Sequence, residues 1–349
     1  MHTHESYTVG IVCALAIEAT AVVAMLDQKH HDVGPVPGDC NLYYYGKIGE
    51  HMVVVACLPA VSTGPTNAAI VASKMIRSFK LRHGLMVGIG GGAPRSNTDI
   101  RLGDVVVSQP HETHGGVVQF DFGKTEAGEV FRRTGVLNKP PRALLNAVQG
   151  LKIKPEGIHL DRYIQDMVSR LPMLREKGYF YQGQHNDELF EASYDHTTGV
   201  NCQDCDRTHL VQRTVRDSDQ PKIHYGNIAS GHKVINNGSI RDRIAEREAV
   251  ICFETAAAGV MDIFPCLVIR GICDYADSHK NKRWQPYAAA TAAAYAKELL
   301  LSIPVDDGGD TRPAMVPADG RTNTWSNYGG TKVGSQVNYI HTQNQNNTF

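Results

Sequence analysis

The chain has 349 residues, of which 42% are hydrophobic and 20% charged, with a formal net charge of −1 at pH 7. That is enough apolar material for a substantial buried core. The near-neutral balance creates no global field toward nucleic acid or an acidic membrane, so neither is expected as a partner. No uninterrupted apolar run is long enough to span a bilayer. The opening residues carry Glu5 and Glu18 without a basic cluster, so no secretory leader is expected and the eight cysteines read as reduced thiols of a cytoplasmic protein.

In chain order, Tyr7 to Cys13 is a β-branched apolar run, predicted as a strand, and Ala14 to Asp27 follows with helical spacing. Tyr43 to Ile48 and Met52 to Leu58 predict a hairpin turning at Gly49-Glu50. Thr66 to Phe79 is a helix with a small and apolar face, and Gly84 to Ile89 is an apolar strand running into a glycine-rich turn at Gly90-Gly91-Gly92. Val105 to Ser108 and Val117 to Phe122 continue the strands. Cys266 to Ile272 has the pattern of a buried strand, and Trp284 to Leu301 is an alanine-rich helix with Pro286 near its start. Strands alternating with helices predict an α/β sheet covered on both faces. Residues 150–225 are polar and weakly periodic, an insertion with a few helices within a domain of 1–304. Residues 305–349, rich in Gly, Asn, Thr and Gln, read as a linker or tail, with an edge strand over Val333 to Ile340 as the alternative.

Several motifs fail on inspection. Gly88-Ile89-Gly90-Gly91-Gly92-Ala93 imitates a dinucleotide fingerprint but meets Pro94 and lacks the acidic ribose partner, which argues against a nicotinamide enzyme. Glycines there still let backbone approach a ligand at a strand's end, so Gly90 and Gly91 are candidate binding residues. His111-Glu112-Thr113-His114 lacks the zinc-protease spacing. Cys202 and Cys205, with His196 and His209 nearby, have the spacing of half a zinc site; no second Cys-x-x-Cys follows, so plain surface cysteines are expected, with no metal and no cofactor. Two acids remain. Glu18 opens the first helix, where a charge ordinarily serves the helix dipole. Asp274 ends the strand from Cys266, and in open α/β sheets ligands sit outside the strands' carboxyl ends, so both acids are placed to meet one.

Three segments together carry a resemblance: Val9-Gly-Ile-Val-Cys-Ala-Leu-Ala-Ile-Glu18, Leu102-Gly-Asp-Val-Val-Val-Ser108, and Val268-Ile-Arg-Gly-Ile-Cys-Asp-Tyr-Ala-Asp277. In this order the chain resembles the nucleoside phosphorylase and methylthioadenosine nucleosidase superfamily. Ile223-His-Tyr-Gly-Asn-Ile-Ala-Ser-Gly231 and the stretch from Phe264 through Trp284-Gln-Pro-Tyr are similar to the fungal form of this domain, found at the start of immune-receptor-like proteins. The resemblance implies a three-layer α/β/α fold with a twisted, largely mixed sheet, assembled as a homo-oligomer. It implies Asp274 as the acid at the purine and Glu18 as the carboxylate that orients or deprotonates water. The base would pack on Val234 and Ile235. The family's Phe-Glu-Met-Glu-Ala reads Phe253-Glu254-Thr255-Ala256-Ala257 here, so Glu254 and Thr255 keep binding positions while Ala256 stands where the ribose-holding glutamate belongs. Losing that acceptor should slow turnover by orders of magnitude.

The expected function is hydrolysis of a purine nucleoside, adenosine or an adenine nucleotide, to free base and ribose, by a chain that binds better than it turns over. Phosphorolysis is disfavoured because Glu18 would repel phosphate and no arginine follows the glycines until Arg95. The alternative from another class is a non-catalytic nucleoside-sensing module of a larger receptor. Arg162, Lys177, Arg207, Arg213 and Arg216 are candidates for contacting 5′ phosphates, against the plainer account of a solvated charged face.

Overall fold

The computed structural model describes residues 2–95, 98–128, 131–196 and 201–305. The expected tail, with the alternative strand at 333–340, lies outside the described residues.

The chain opens with β1 (Val9–Cys13) and α1 (Ala16–Ala24), then β2 (Gln28–His30), β3 (Tyr43–Ile48) and β4 (His51–Cys57). The predicted hairpin is present, with Ile48 opposite His51 across its turn. Helix α2 (Pro65–Ser78) starts with proline at its first position, where the missing N–H costs nothing. Strand β5 (His83–Gly92) follows, then β6 (Val105–Ser108), β7 (Val117–Gln119) and the small pair β8 (Gly123–Thr125) and β9 (Phe131–Arg133). Helices α3 (Arg142–Ile153), α4 (Leu160–Arg170) and α5 (Pro172–Glu176) lead to β10 (Ile223–Ser230), α6 (Gly238–Arg247), β11 (Val250–Glu254), β12 (Leu267–Asp274) and α7 (Gln285–Leu301).

The main sheet runs β11-β10-β6-β12-β5-β1-β4-β3-β2, with β7 beside β10. It is mixed: β12 pairs parallel with β5 and antiparallel with β6. Its central strands, such as Val9 to Cys13, are buried on both faces, which explains their unbroken apolar character. Helices α1 and α7 pack together on one face with α4 outside them, while α2 packs on β1 and β4. Helix α4 reaches the main core through Leu160, Ile164, Met167 and Val168.

Two expectations need correction. The glycines after Ile89 do not form a turn: β5 continues through Gly92, keeping β12 on one side while its pairing with β1 ends at Met86 and β11 pairs antiparallel with it at Gly91 and Gly92. That pairing closes β11, β10, β6, β12 and β5 into a ring. Extended glycine is tolerated because a Cβ at Gly90 would lie 2.6 Å from the Cys252 sulfur, so the closure requires bare backbone. Strand β7 also stops at Gln119, short of the predicted Phe122, where a turn begins at Phe120 and Asp121.

Candidate active site

The parallel strands point their carboxyl ends at one cavity of about 230 Å³. Its wall takes Glu18 from α1, Ile89 to Gly91 from β5, Lys233 to Ile235 from the loop after β10, Phe253 to Ala256 from β11 and its continuation, and Arg270 and Asp274 from β12. All the residues expected at the site from sequence therefore border one space. Ile235 and Ala256 are buried, Thr255 is half-buried, and Val234 is 60% exposed at the rim.

Glu18 lies at the third position of α1 and turns back on the helix start. Its Oε2 accepts from the N–H groups of Ala14 at 2.7 Å and Leu15 at 2.8 Å, satisfying donors that the first turn leaves free. Its Oε1 accepts from the Ile89 N–H at 2.8 Å, which joins α1 to β5. The capping role and the placement at a cavity are thus both present. Burial pushes this carboxyl above its ordinary range, and Arg270 with the three backbone N–H groups pulls the other way. A raised carboxyl suits proton abstraction near neutral pH.

Arg270 is the cation that sequence reasoning passed over. It is fully buried in an otherwise apolar strand, donating from Nη2 to Glu254 Oε2 at 2.7 Å, with Nη1 4.0 Å from Glu18 Oε1. Its Nε has no hydrogen-bond partner among the described residues. Room for it exists because its β5 neighbour is Gly88: a Cβ there would stand 2.2 Å from Arg270 Nη1 and 2.4 Å from Glu18 Oε1. The available signal was a lone arginine inside Leu267–Asp274, since a buried charge needs a partner. Glu254 is that partner. It also accepts from the N–H groups of Ala256 at 2.9 Å and Ala257 at 3.0 Å, so its carboxylate is spent on Arg270 and on the turn that follows β11.

Asp274 is half-buried at the end of β12. Its Oδ1 accepts from the Ala276 N–H at 2.9 Å and stands 3.5 Å from Lys280 Nζ. Gly91 faces it across the strand pair; a Cβ at Gly91 would lie 2.7 Å from Asp274 Oδ1. The following Tyr275 is held from residues 150–225: its hydroxyl donates to Asp187 Oδ1 at 2.5 Å and accepts from Arg213 Nη1 at 2.8 Å.

The arginines considered for phosphate contact are not on this cavity's wall. Arg213 pairs with Asp187, Arg216 with Asp104, and Arg207 with Glu188. Lys233 and Lys280 border the cavity instead, neither of them singled out from sequence. His196, Cys202 and Cys205 come together away from this wall, with one ligand atom from each within 4.8 Å of the others. His209 is not in that group and pairs with Glu191. Among the described residues no helix is long and apolar enough to cross a membrane.

Comparison with known proteins agrees with this architecture. Over 302 residues the chain is 47% identical to a nucleotide-binding leucine-rich repeat (NLR)-like protein of Hyaloscypha variabilis, covering 86% of this chain and 30% of that protein. The chain therefore spans less than a third of that relative's length. It is 22% identical over 306 residues to a 5′-methylthioadenosine/S-adenosylhomocysteine nucleosidase of Mycobacterium bovis, covering 85% of this chain and 97% of the enzyme. Among solved structures, futalosine hydrolase of Helicobacter pylori superposes with a TM-score of 0.53 at 16% identity, over 84% of this chain and 97% of that one. The Neisseria meningitidis 5′-methylthioadenosine/S-adenosylhomocysteine nucleosidase in complex with methylthio-immucillin-A gives a TM-score of 0.54 at 17% identity, over 84% and 99%. Residues 8–301 match the phosphorylase superfamily, and the chain belongs to it.

Proposed function

We propose that this domain is a purine N-glycosidase that hydrolyses the bond between base and ribose in adenosine or an adenine nucleotide, working in the cytoplasm as a homo-oligomer. The observation that carries the reading is that Glu18 and Asp274, drawn from opposite ends of the domain, border one cavity with the bare backbone of Gly90 and Gly91 between them. In the proposed reaction Asp274 donates a proton to a purine ring nitrogen as the glycosidic bond breaks. Glu18 takes a proton from the water that attacks the sugar carbon, so the products are free base and ribose. Val234 and Ile235 supply apolar contact for the base. A base reaching Asp274 also meets Lys280, and Lys233 stands at the same cavity; these two cations, rather than the arginines of 150–225, suit a phosphorylated 5′ end. Hydrolysis is favoured over phosphorolysis because Arg270 is occupied by Glu254 beside Glu18, whose charge opposes an anion.

The sugar side is incomplete. Ala256 borders the cavity with no carboxylate to offer, and Glu254 cannot substitute while Arg270 and two backbone N–H groups hold it. Turnover by the chain as it stands should be slow, and Ala256→Glu should raise base release by roughly 10²–10³-fold, the worth of one preorganised group facing developing charge. Release of adenine from adenosine, methylthioadenosine and adenine nucleotides, with and without phosphate, checks this. Release that is independent of phosphate and abolished by Asp274→Asn supports the reading; release that requires phosphate makes the protein a phosphorylase. The alanine also favours a second reading, a sensing module that binds nucleoside without cleaving it. Binding by calorimetry, with no turnover even in Ala256→Glu, would establish that reading instead.

A further inference from the structure

A second cluster lies where residues 150–225 meet the loop between β12 and α7. His196, Cys202 and Cys205 each bring one ligand atom to within 4.8 Å of the other two. Beside that group but outside its 4.8 Å spacing is His279, 8% exposed, with neither ring nitrogen hydrogen-bonded among the described residues. A buried imidazole without partners is an unpaid desolvation that native structures avoid unless the group serves a ligand. The rings of His196 and His279 are 5.7 Å apart at 72°.

The surroundings hold these groups in place while leaving the His279 ring nitrogens without a hydrogen bond among the described residues. Phe190 stacks on His279 with ring centres 4.2 Å apart and planes at 14°. The backbone N–H of His196 donates to Ser278 Oγ at 2.9 Å, and the Cys202 thiol points to the His279 carbonyl at 3.7 Å. His196 Nε2 faces the Asn201 carbonyl at 2.9 Å, an outer partner that fixes its ring. Asp277 Oδ1 is 3.9 Å from His279 Nδ1, placed to accept that N–H once Nε2 is bound elsewhere, as carboxylates do behind metal-bound histidines.

We infer that His196, Cys202, Cys205 and His279 form a structural zinc site that fastens residues 150–225 to the loop that follows Asp274 and carries Lys280. Two thiolates and two imidazoles are a closed tetrahedral set for Zn²⁺. With Zn–S bonds of about 2.3 Å the two sulfurs would stand about 3.8 Å apart, so their present spacing closes by at most ~1 Å, while the His279 ring, outside the group, must move in to join them. The order His-x₅-Cys-x₂-Cys ending on a histidine far along the chain hid the fourth ligand from sequence, because His279 is brought in by the end of β12. The metal makes no contact with the nucleoside cavity in this assignment. It sets the path of the loop immediately after Asp274, and Lys280 is the next residue after His279.

The full chain, purified under reducing conditions without metal-affinity capture, is assayed for zinc by mass spectrometry and then loaded with Co²⁺ after chelation. About one zinc per chain is expected, together with a thiolate-to-cobalt charge-transfer band and the strong visible bands of tetrahedral cobalt. Cys205→Ser should lose the zinc, while Cys40→Ser, at an exposed cysteine outside the cluster, should keep it. Chelation should speed amide exchange in peptides covering 275–283 and 187–210 together. If Cys205→Ser does not fold, the cobalt spectrum of the unaltered chain decides alone. A chain that holds no zinc and shows no cobalt–thiolate band, or one isolated with a Cys202–Cys205 disulfide under reducing conditions, overturns the assignment.

Discussion

At the scale of single residues, the candidate site depends on one buried cation shared by two acids. Arg270 is 1% exposed, and its guanidinium is paired at 2.7 Å to Glu254 and lies 4.0 Å from Glu18. Breaking such a pair from one side leaves a charge in a low dielectric, which costs more than the pair contributes. Glu254→Ala should therefore destabilise the fold by about 3–5 kcal/mol. Glu254→Gln keeps an acceptor for the Ala256 and Ala257 N–H groups and should cost less. Urea unfolding of the two variants checks the order. Equal losses would mean that the backbone bonds, not the guanidinium, are what Glu254 supplies. Arg270 was legible in sequence only as an anomaly, a charge inside an apolar strand. Which carboxylate it meets follows from the registers that put both β12 and β11 against β5, a long-range fact.

At the scale of elements, the glycines of β5 act by what they leave out. None of Gly88, Gly90, Gly91 and Gly92 has a positive φ, so freedom of backbone is not what selects them. Three of them lie where a side chain comes too close for a Cβ, Arg270 and Glu18 at Gly88, Cys252 at Gly90 and Asp274 at Gly91, and Gly92 is tight against Ile100 and Ile272 at 3.0 Å. Gly88→Ala should cost about 1–3 kcal/mol by overpacking. It should also displace Glu18 and Arg270, lowering base release in an Ala256→Glu background more than it lowers stability. Thermal melts and a base-release assay on the same preparations check this, and an unchanged rate would detach Glu18 from the chemistry. The alanines of α7 play a similar part. A Cβ at Gly271 would stand 1.8 Å from the Ala288 carbonyl, so helix and strand touch backbone to backbone just before Asp274. Alternation of strands and helices was legible in sequence because burial imposes its period on the residues. The run of glycines was misread as a turn because composition does not distinguish a bend from a close approach.

At the scale of the molecule, residues 150–225 are tied to the sheet by charge. Asp104, just before β6, is 1% exposed in its side chain; Arg216 donates to both its oxygens at 2.7 Å and His224 lies 2.9 Å from one. Burial raises this carboxyl, but the Arg216 and His224 hydrogen bonds outweigh it and hold it below the usual aspartate value. A carboxyl lowered on folding contributes stability above its unfolded pKa, and that contribution is lost as pH falls through the folded value. The urea midpoint should accordingly drop between about pH 5 and pH 2. Asp104→Asn should lower the midpoint at pH 7 and flatten that acid slope. Glu18, raised by burial, acts in the opposite sense, so the difference between the two curves isolates Asp104. Parallel curves would show that the tie carries no net stability.

The sequence by itself determined β1, α1, the β3–β4 hairpin, α2, β5, β6, β12 and α7, an acid just after β1 and another at the end of β12, and the absence of a carboxylate at position 256. Each of these is local: a period, a position after a strand, the identity of one residue. Tertiary structure alone decided that β5 leaves β1 for β11, that Arg270 links Glu18 to Glu254, that Lys233 and Lys280 rather than the arginines border the cavity, and that the His279 ring lies beside that of His196. These depend on which strands pair and in what register, and pairing across more than a hundred residues is settled by the burial of the whole core.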